Sequence, residues 1–350
     1  RIYKYVQDNT RYISVQEGIG GLQPISAMEV DKLKYGDCKG LTNYTKALLE
    51  VAGVTSYYTR VYASSNLQQG IDKDFPTFVG QTNHVILNIP NEAGDVWLEC
   101  TSQTLPFGFL GDFTDNRNVL VITPEGGKVM KTISYANEQN HQKMEATYNI
   151  LEDRSIEGEV CIKSKGLKYD HRYGISGLSN EDINTSYKQL WSNINGIEIK
   201  GNHFNNDREK VLFTEVVKIK APEYATKQGE NLIVAINVFD NVGFVPTRYR
   251  NRKFPFVIKR GFVNEDEFKI NIPQNFVVEN LPDKVVEKSK FGSYEMQLIK
   301  KTDREFVYQR RLSIHKGEYP KEEYVSYRTF RRKVAKLDNL KLILTNQNPK

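Results

Sequence analysis

Residues 31–53 of this chain read DKLKYGDCKGLTNYTKALLEVAG, which predicts a turn followed by a helix. Apolar side chains recur at spacings of three and four, as on a helix with one buried face. The residues predicted for that face are Leu41, Tyr44, Leu48 and Ala52. Asp37 is a favoured N-cap residue, and Gly53 stands where a left-handed C-cap closes a helix. The first part of the chain is therefore predicted to be organised around this helix.

Cys38 would lie in the first turn of that helix. Unpaired backbone N–H groups and the positive end of the helix dipole favour thiolate over thiol at this position. The thiolate is the nucleophilic form of cysteine, so the position favours covalent catalysis. The alternative is a buried small hydrophobe, because free cysteine is among the most buried residue types.

A β-hairpin is predicted further along, from NHVILNI (83–89), PNEAGD (90–95) and VWLECT (96–101). Both outer segments alternate with the period of two that is typical of strands. If Ile89 pairs with Gly94, His84 lies directly opposite Glu99 on the same face. A carboxylate beside an imidazole can orient a catalytic base. The alternative is an ordinary cross-strand pair on the surface.

Together these residues predict a thiol nucleophile with an oriented base. Cys38 would attack, His84 would take its proton and later protonate the leaving group, and Glu99 would hold the imidazole. The backbone N–H of Cys38 would form half of an oxyanion hole. Gln23, a polar residue that precedes Cys38, is the candidate for the other half.

The blocks GDCKGLTNYTKALLEVAGV, NHVILNI and VWLECT resemble those of the transglutaminase-like superfamily, which is papain-like in fold. More narrowly, the chain resembles Bacteroidetes-type proteins in which such a domain lies between two β-rich domains of unknown function. Cys38, His84 and Glu99 match the family's Cys, His and Asp, with Glu99 in place of the usual Asp. The resemblance implies a periplasmic or cell-surface location. It also implies a missing N-terminal β domain that packs on this fragment.

The predicted fold class is α+β. A papain/transglutaminase-like domain (1–135) is followed by a linker (136–143) and a mainly antiparallel β-sandwich domain (144–350). A length of 350 residues agrees with two domains. Helices are predicted near 180–194 and 320–336 within the β-rich part.

Several classes of protein are disfavoured. There is no run of eighteen apolar residues, so no membrane-spanning segment is expected. Three cysteines and five histidines show no metal-ligand spacing, no calcium-loop pattern occurs, and no cofactor is expected. The GIGG turn lacks the other residues of a phosphate-binding loop.

The net charge is +6, but basic residues are interspersed with acidic ones, so a nucleic-acid partner is not expected. The basic and aromatic stretch RYRNRKFPFVIKR (248–260) leaves that alternative open. A solvated edge strand explains the same stretch more simply. The polar loop 64–80 is long enough to be functional or mobile.

The function predicted from these residues is thiol-dependent chemistry on an amide or peptide bond, as a hydrolase or an acyl transferase. Its substrate would be a peptide, a protein or a peptidoglycan-type amide. The alternative is a catalytically silent interaction or scaffold module at the cell surface.

Overall fold

The computed structural model describes residues 1–65 and 70–347. The chain has a mixed α/β fold with several sheets, 22% helix and 37% strand. It divides into two compact units, residues 1–135 with 208–211 and residues 136–207 with 212–350. Within the described ranges, no helix is long and apolar enough to cross a membrane.

The first unit combines three helices with a five-stranded antiparallel sheet of order β5-β4-β3-β6-β7 and a short parallel pair, β1 and β2. Its elements are α1 (Ile2–Asn9), β1 (Arg11–Tyr12), α2 (Ala27–Leu33), β2 (Tyr35–Gly36), α3 (Cys38–Val51), β3 (Tyr57–Val61), β4 (His84–Ile89), β5 (Val96–Leu98), β6 (Asn118–Thr123) and β7 (Gly126–Lys131). The GIGG turn, Gly18–Gly21, is one turn of 3₁₀ helix.

Helix α3 begins and ends where the sequence predicts. The side chain of Asp37 accepts a hydrogen bond of 2.9 Å from the backbone N–H of Gly40. Gly53 has a φ of +74°, the left-handed conformation that glycine adopts at low cost. Leu41 and Tyr44 are buried as predicted, but Ala52 is exposed and Leu49 is buried instead. Ala52 lies beyond the last helical residue, where the helical period no longer sets its direction.

The hairpin of β4 and β5 forms, but its register differs from the predicted one. Ile89 pairs with Val96 and Leu87 with Leu98, so Ile89 does not pair with Gly94. The loop 90–95 is two residues longer than the four-residue loop that the prediction assumed. Side chains alternate between faces with a period of two, so a shift of two residues leaves Glu99 on the predicted face.

The second unit is built mainly from antiparallel strands. An eight-stranded sheet has the order β10-β11-β9-β8-β15-β19-β18-β17, in which β8 and β15 pair in parallel and the other neighbours are antiparallel. A four-stranded sheet has the order β12-β13-β21-β16, and β14 pairs with β20. The packing of these sheets as a sandwich stays a prediction.

The strands of the second unit are β8 (His141–Ile150), β9 (Ile156–Lys165), β10 (Glu198–Asp207), β11 (Leu212–Ala221), β12 (Thr226–Gln228), β13 (Asn231–Ala235), β14 (Phe256–Ile258), β15 (Phe262–Asn271), β16 (Phe276–Val278), β17 (Val285–Ser289), β18 (Gly292–Lys300), β19 (Glu305–Ile314), β20 (Gly317–Tyr319) and β21 (Lys341–Asn346). The helices are α4 (Leu167–Asp170), α5 (Asn180–Leu190) and α6 (Tyr324–Asp338). The two helices predicted near 180–194 and 320–336 are confirmed as α5 and α6.

Three stretches that were predicted to be a linker, an edge strand and a loop have the following structure. The predicted linker 136–143 holds a 3₁₀ turn, Asn137–Gln139, and the first residues of β8, which are hydrogen-bonded within the large sheet. In 248–260 only Phe256–Ile258 forms a strand, so the edge-strand interpretation is wrong for the rest. The described part of the loop 64–80 contains no helix or strand, and residues 66–69 lie outside the described residues.

Candidate active site

Cys38 is the first residue of α3, as the sequence predicts. Its side chain is buried, with 4% of the residue exposed, yet it lines a pocket of about 260 Å³ together with His84. Helix α3 and strand β4 therefore bring the predicted nucleophile and the predicted base to one cavity. Burial and access to a cavity coexist here, so the buried-hydrophobe alternative does not follow from burial alone.

Glu99 forms the predicted contact with His84. Nε2 of His84 lies 3.0 Å from each carboxylate oxygen of Glu99. Thr101 donates two hydrogen bonds to Oε1 of Glu99, from its hydroxyl (2.5 Å) and its backbone N–H (3.2 Å). The side chain of His84 is 11% exposed and that of Glu99 is 1% exposed, so water competes little with this contact.

The electrostatics of the pair favour charge on both partners. Burial lowers the pKa of His84, but the charge of Glu99, the hydrogen bond with Glu99 and the nearby Cys38 outweigh it and raise the pKa to about 10. Burial raises the pKa of Glu99, but the charge of His84 and hydrogen bonds from His84 and Thr101 bring it below its usual value. At neutral pH the pair is therefore an imidazolium beside a carboxylate.

The orientation of the imidazole follows from this contact. Glu99 occupies Nε2, so Nδ1 is the ring nitrogen left to interact with Cys38, which lines the same pocket. The ring of Phe113 lies 5.9 Å from the imidazole between centroids. One edge of the ring thus faces the carboxylate and the other is available to the sulfur.

The other two cysteines differ from Cys38 in their surroundings. Burial raises the pKa of the Cys100 thiol to about 12, and the same cause raises that of Cys161. Neither residue is among those that line the pocket of Cys38. Both are therefore thiols at neutral pH, and all three cysteines are free.

A buried ion pair flanks Cys38 on the chain. Lys39 donates to the carboxylate of Asp37, and the two side chains are 3% and 1% exposed. Lys39 also donates a hydrogen bond of 3.2 Å to the backbone carbonyl of Val15. The start of α3 is thereby tied to the segment that precedes the GIGG turn.

That segment supplies a residue that the sequence did not indicate. Gln16 lines the pocket, whereas Gln23, the predicted second oxyanion donor, is not among the lining residues. Gln16 and Gln23 both precede Cys38, so their position in the sequence could not show which of them lines the pocket. The tie between Lys39 and Val15, which adjoins Gln16, is a tertiary contact with no sequence signal.

The pocket has few groups that could hold a metal. Its described lining contains one cysteine, Cys38, and one histidine, His84, and no carboxylate. Catalytic zinc sites use three protein ligands, so this lining falls short of such a set. The carboxylate of Glu99 lies behind the imidazole and already binds it.

Comparison with known proteins gives likenesses to a family model and to a crystal structure. Residues 230–344 match a family model described as a domain of unknown function with a solved structure (DUF3858). This match lies within the second unit and does not include Cys38, His84 or Glu99. No curated protein matches the chain.

The chain is also similar to a crystal structure described as "a putative protease" from Parabacteroides distasonis. The similarity covers 98% of this chain and 50% of that chain, with 10% sequence identity and a TM-score of 0.52. This chain therefore spans half the length of that protein. At this identity the likeness concerns the fold.

Proposed function

We propose that this protein is a thiol-dependent enzyme that hydrolyses an amide or peptide bond or transfers its acyl group, with Cys38, His84 and Glu99 as the catalytic residues. The observation that carries the proposal is the position of His84. Its Nε2 is bound by Glu99, and the same ring lines one pocket together with Cys38. The description of the structurally similar protein as a protease supports the same class of reaction.

In the proposed reaction, the sulfur of Cys38 attacks the carbonyl carbon of the amide. The carbonyl π electrons move to oxygen, and the imidazolium of His84 donates its Nδ1 proton to the departing nitrogen as the C–N bond breaks. The product is a thioester on Cys38 and a free amine. Neutral His84 then removes a proton from water or from an acceptor amine, which attacks the thioester and releases Cys38 as thiolate.

Two donors are proposed to stabilise the oxyanion. One is the backbone N–H of Cys38, which lies at the start of α3 and has no partner within its own helix. The other is the side-chain amide of Gln16, which lines the same pocket. Donors of this kind contribute most where charge develops on the carbonyl oxygen.

The resemblance to the transglutaminase-like superfamily extends the proposal. Residues 1–135 would be the papain-like domain and the second unit a β-rich domain of the type described above. The protein would act in the periplasm or at the cell surface on a peptide, a protein or a peptidoglycan-type amide, with no nucleic-acid partner and no cofactor. The share of the chain that the family model covers, 230–344, belongs to the β-rich part.

The test is the rate of Cys38 alkylation by iodoacetamide as a function of pH, measured by peptide mass mapping in wild type, His84→Ala and Glu99→Gln. An imidazolium close to the sulfur stabilises thiolate. Cys38 in wild type is therefore expected to react at least about tenfold faster at neutral pH than in His84→Ala. Glu99→Gln should lie between the two.

Cys100 and Cys161 are internal controls, because both should stay unmodified under conditions that modify Cys38. If Cys38 reacts equally in all three proteins, the catalytic proposal is wrong and the interaction-module alternative is preferred. Once reactivity is established, amide substrates with and without an added amine separate hydrolysis from acyl transfer.

A further inference from the structure

The pocket of Cys38 continues into a second, more apolar pocket. The two share Leu22, Arg60 and Phe78 in their walls. The second pocket has a volume of about 520 Å³ and also includes Pro24, Tyr58 and Ile122. Leu22, Phe78 and Ile122 are 67%, 47% and 43% exposed. Adjoining apolar side chains left in water often mark a site for a ligand.

Arg60 lies where the two pockets meet, and its charge lacks a compensating carboxylate. Its Nε donates a hydrogen bond of 3.1 Å to the hydroxyl of Thr82, and its guanidinium carbon lies 5.6 Å from the centre of the Phe78 ring. Across residues 1–65 and 70–347, Arg60 forms no ion pair. Burial raises the pKa of Tyr58 to about 12, although the charge of Arg60 lowers it, so Tyr58 is neutral and does not compensate Arg60.

The other cations of the two pockets are already paired. Lys39 binds the carboxylate of Asp37, and Lys46 lies 3.3 Å from the carboxylate of Glu50. Among the described lining residues, Arg60 is thus the cation that can form an ion pair with a bound molecule. Guanidinium groups bind carboxylates through two parallel hydrogen bonds.

Resting on the proposed function, we propose that Arg60 binds a carboxylate of the substrate and that the adjoining apolar pocket holds the side chain beside that carboxylate. The Cys38 pocket has a volume of about 260 Å³. Two or three residues of extended chain, at ~3.3–3.6 Å each, span such a space. The substrate is therefore a peptide with a carboxylate within two or three residues of the bond that is cleaved, next to an apolar or aromatic side chain.

The carboxylate could belong to a free C-terminus or to an acidic side chain. Iodoacetyl peptides distinguish the two, because each forms a thioether with Cys38 and releases iodide without requiring turnover. The probes are iodoacetyl-Phe with a free carboxylate, its carboxamide, the corresponding Gly pair, and iodoacetyl-Asp-Phe carboxamide. Each is measured in wild type, Arg60→Gln and Lys32→Gln, the last removing an exposed lysine of α2 away from both pockets.

The expected result is that wild type reacts about tenfold faster with the free carboxylate than with the carboxamide in the Phe pair, the size of a charge-assisted hydrogen bond. The ratio should fall to about one in Arg60→Gln and persist in Lys32→Gln. A smaller ratio in the Gly pair would support the apolar pocket. Preference for the Asp-containing probe over the free C-terminus would assign the carboxylate to a side chain.

The inference would be overturned if the acid-to-amide ratio of the Phe pair and the rate with the Asp-containing probe were both the same in wild type and Arg60→Gln, whatever the reactivity of Cys38. Failure of the proposed function has a different signature, because Cys38 would then react with plain iodoacetamide at the same rate in wild type and His84→Ala. In that case calorimetric titration with acetyl-Phe and its carboxamide tests the subsite. Tighter binding of the acid, lost in Arg60→Gln, would support it, and equal binding would overturn it.

Discussion

Nε2 of His84 lies 3.0 Å from both carboxylate oxygens of Glu99, although the two residues are not partners across the hairpin. Extending the observed register, in which Leu87 pairs with Leu98, would place Thr101 opposite His84. Glu99 is therefore offset by one step of the period-two alternation. Such diagonal neighbours are ~7–8 Å apart and are within reach of long side chains only.

This offset predicts that Glu99→Asp is not a neutral change. Removing one methylene withdraws the carboxylate by about one C–C bond, ~1.5 Å, which takes the contact beyond hydrogen-bond length. Alkylation of Cys38 by iodoacetamide at neutral pH is expected to fall to the level of Glu99→Gln. Glu92→Asp, in the exposed hairpin loop, is the control. Wild-type reactivity in Glu99→Asp would show that the strands adjust to the shorter side chain.

Thr101→Val removes the hydroxyl that lies 2.5 Å from Oε1 of Glu99 while keeping the shape of the side chain. Hydrogen bonds from Thr101 lower the pKa of Glu99, so the substitution raises it. The acidic limb of the pH profile of Cys38 alkylation is expected to move to higher pH. Thr101→Ser retains a hydroxyl and should restore the wild-type profile. A profile that is unchanged in the valine variant would contradict the role of this hydrogen bond.

Local features of the site could be predicted from the sequence because they depend on neighbouring residues. The cap of α3 by Asp37 and the position of Cys38 are of this kind. The approach of His84 to Glu99 was also predicted, but through a register that is wrong by two residues. The predicted contact is nevertheless correct, because a shift of two residues leaves Glu99 on the same face of the sheet. Hairpin loop length sets register, and PNEAGD does not specify that length.

Other features depend on contacts between distant parts of the chain. Gln16 and Arg60 line the pocket of Cys38, but no periodicity or motif relates them to it. In the second unit, the parallel contact of β8 with β15 joins segments about 120 residues apart, such as Val263 and His141. Strand β10 lacks the apolar alternation from which a strand is predicted. Its residues are half-buried or exposed, so the fold does not require apolar side chains there.

The ion pair of His84 and Glu99 predicts a defined dependence of stability on pH. The pKa of His84 rises from 6.5 to about 10 on folding, so its contribution is complete below pH 6.5 and is lost as the pH rises towards 10. The pKa of Glu99 falls below 4.5, so its contribution is complete above pH 4.5 and is lost at lower pH. Both contributions are complete between these two values.

The free energy of unfolding, measured with urea, should therefore differ most between wild type and Glu99→Gln at about pH 4.5–6.5. The difference should shrink below and above that range. Glu92→Gln, at an exposed position, should show no such profile. A difference that stays constant with pH would mean that the pair is not ionised in the folded protein.

The ion pair of Asp37 and Lys39 gives the last prediction, because burial makes its two charges interdependent. The side chains are 1% and 3% exposed, so removing one partner leaves a buried charge without its opposite charge. Lys39→Met should lower the free energy of unfolding by ~3–5 kcal/mol. Asp37→Asn should have a similar cost through the unpaired Lys39, although asparagine can still accept the hydrogen bond from Gly40 at the start of α3.

The double variant Asp37→Asn, Lys39→Met then removes both charges at once. Its cost should be well below the sum of the single variants, and this non-additivity is measured by a double-mutant cycle in urea. Lys4→Met is the matched control, because Lys4 and its partner Asp8 are also close together in the sequence. Both of these side chains are more than half exposed, and exposed ion pairs contribute ~0–1 kcal/mol to the free energy of unfolding. Additive costs for Asp37 and Lys39 would mean that the two charges act independently, in which case Lys39 serves the site through the carbonyl of Val15 alone.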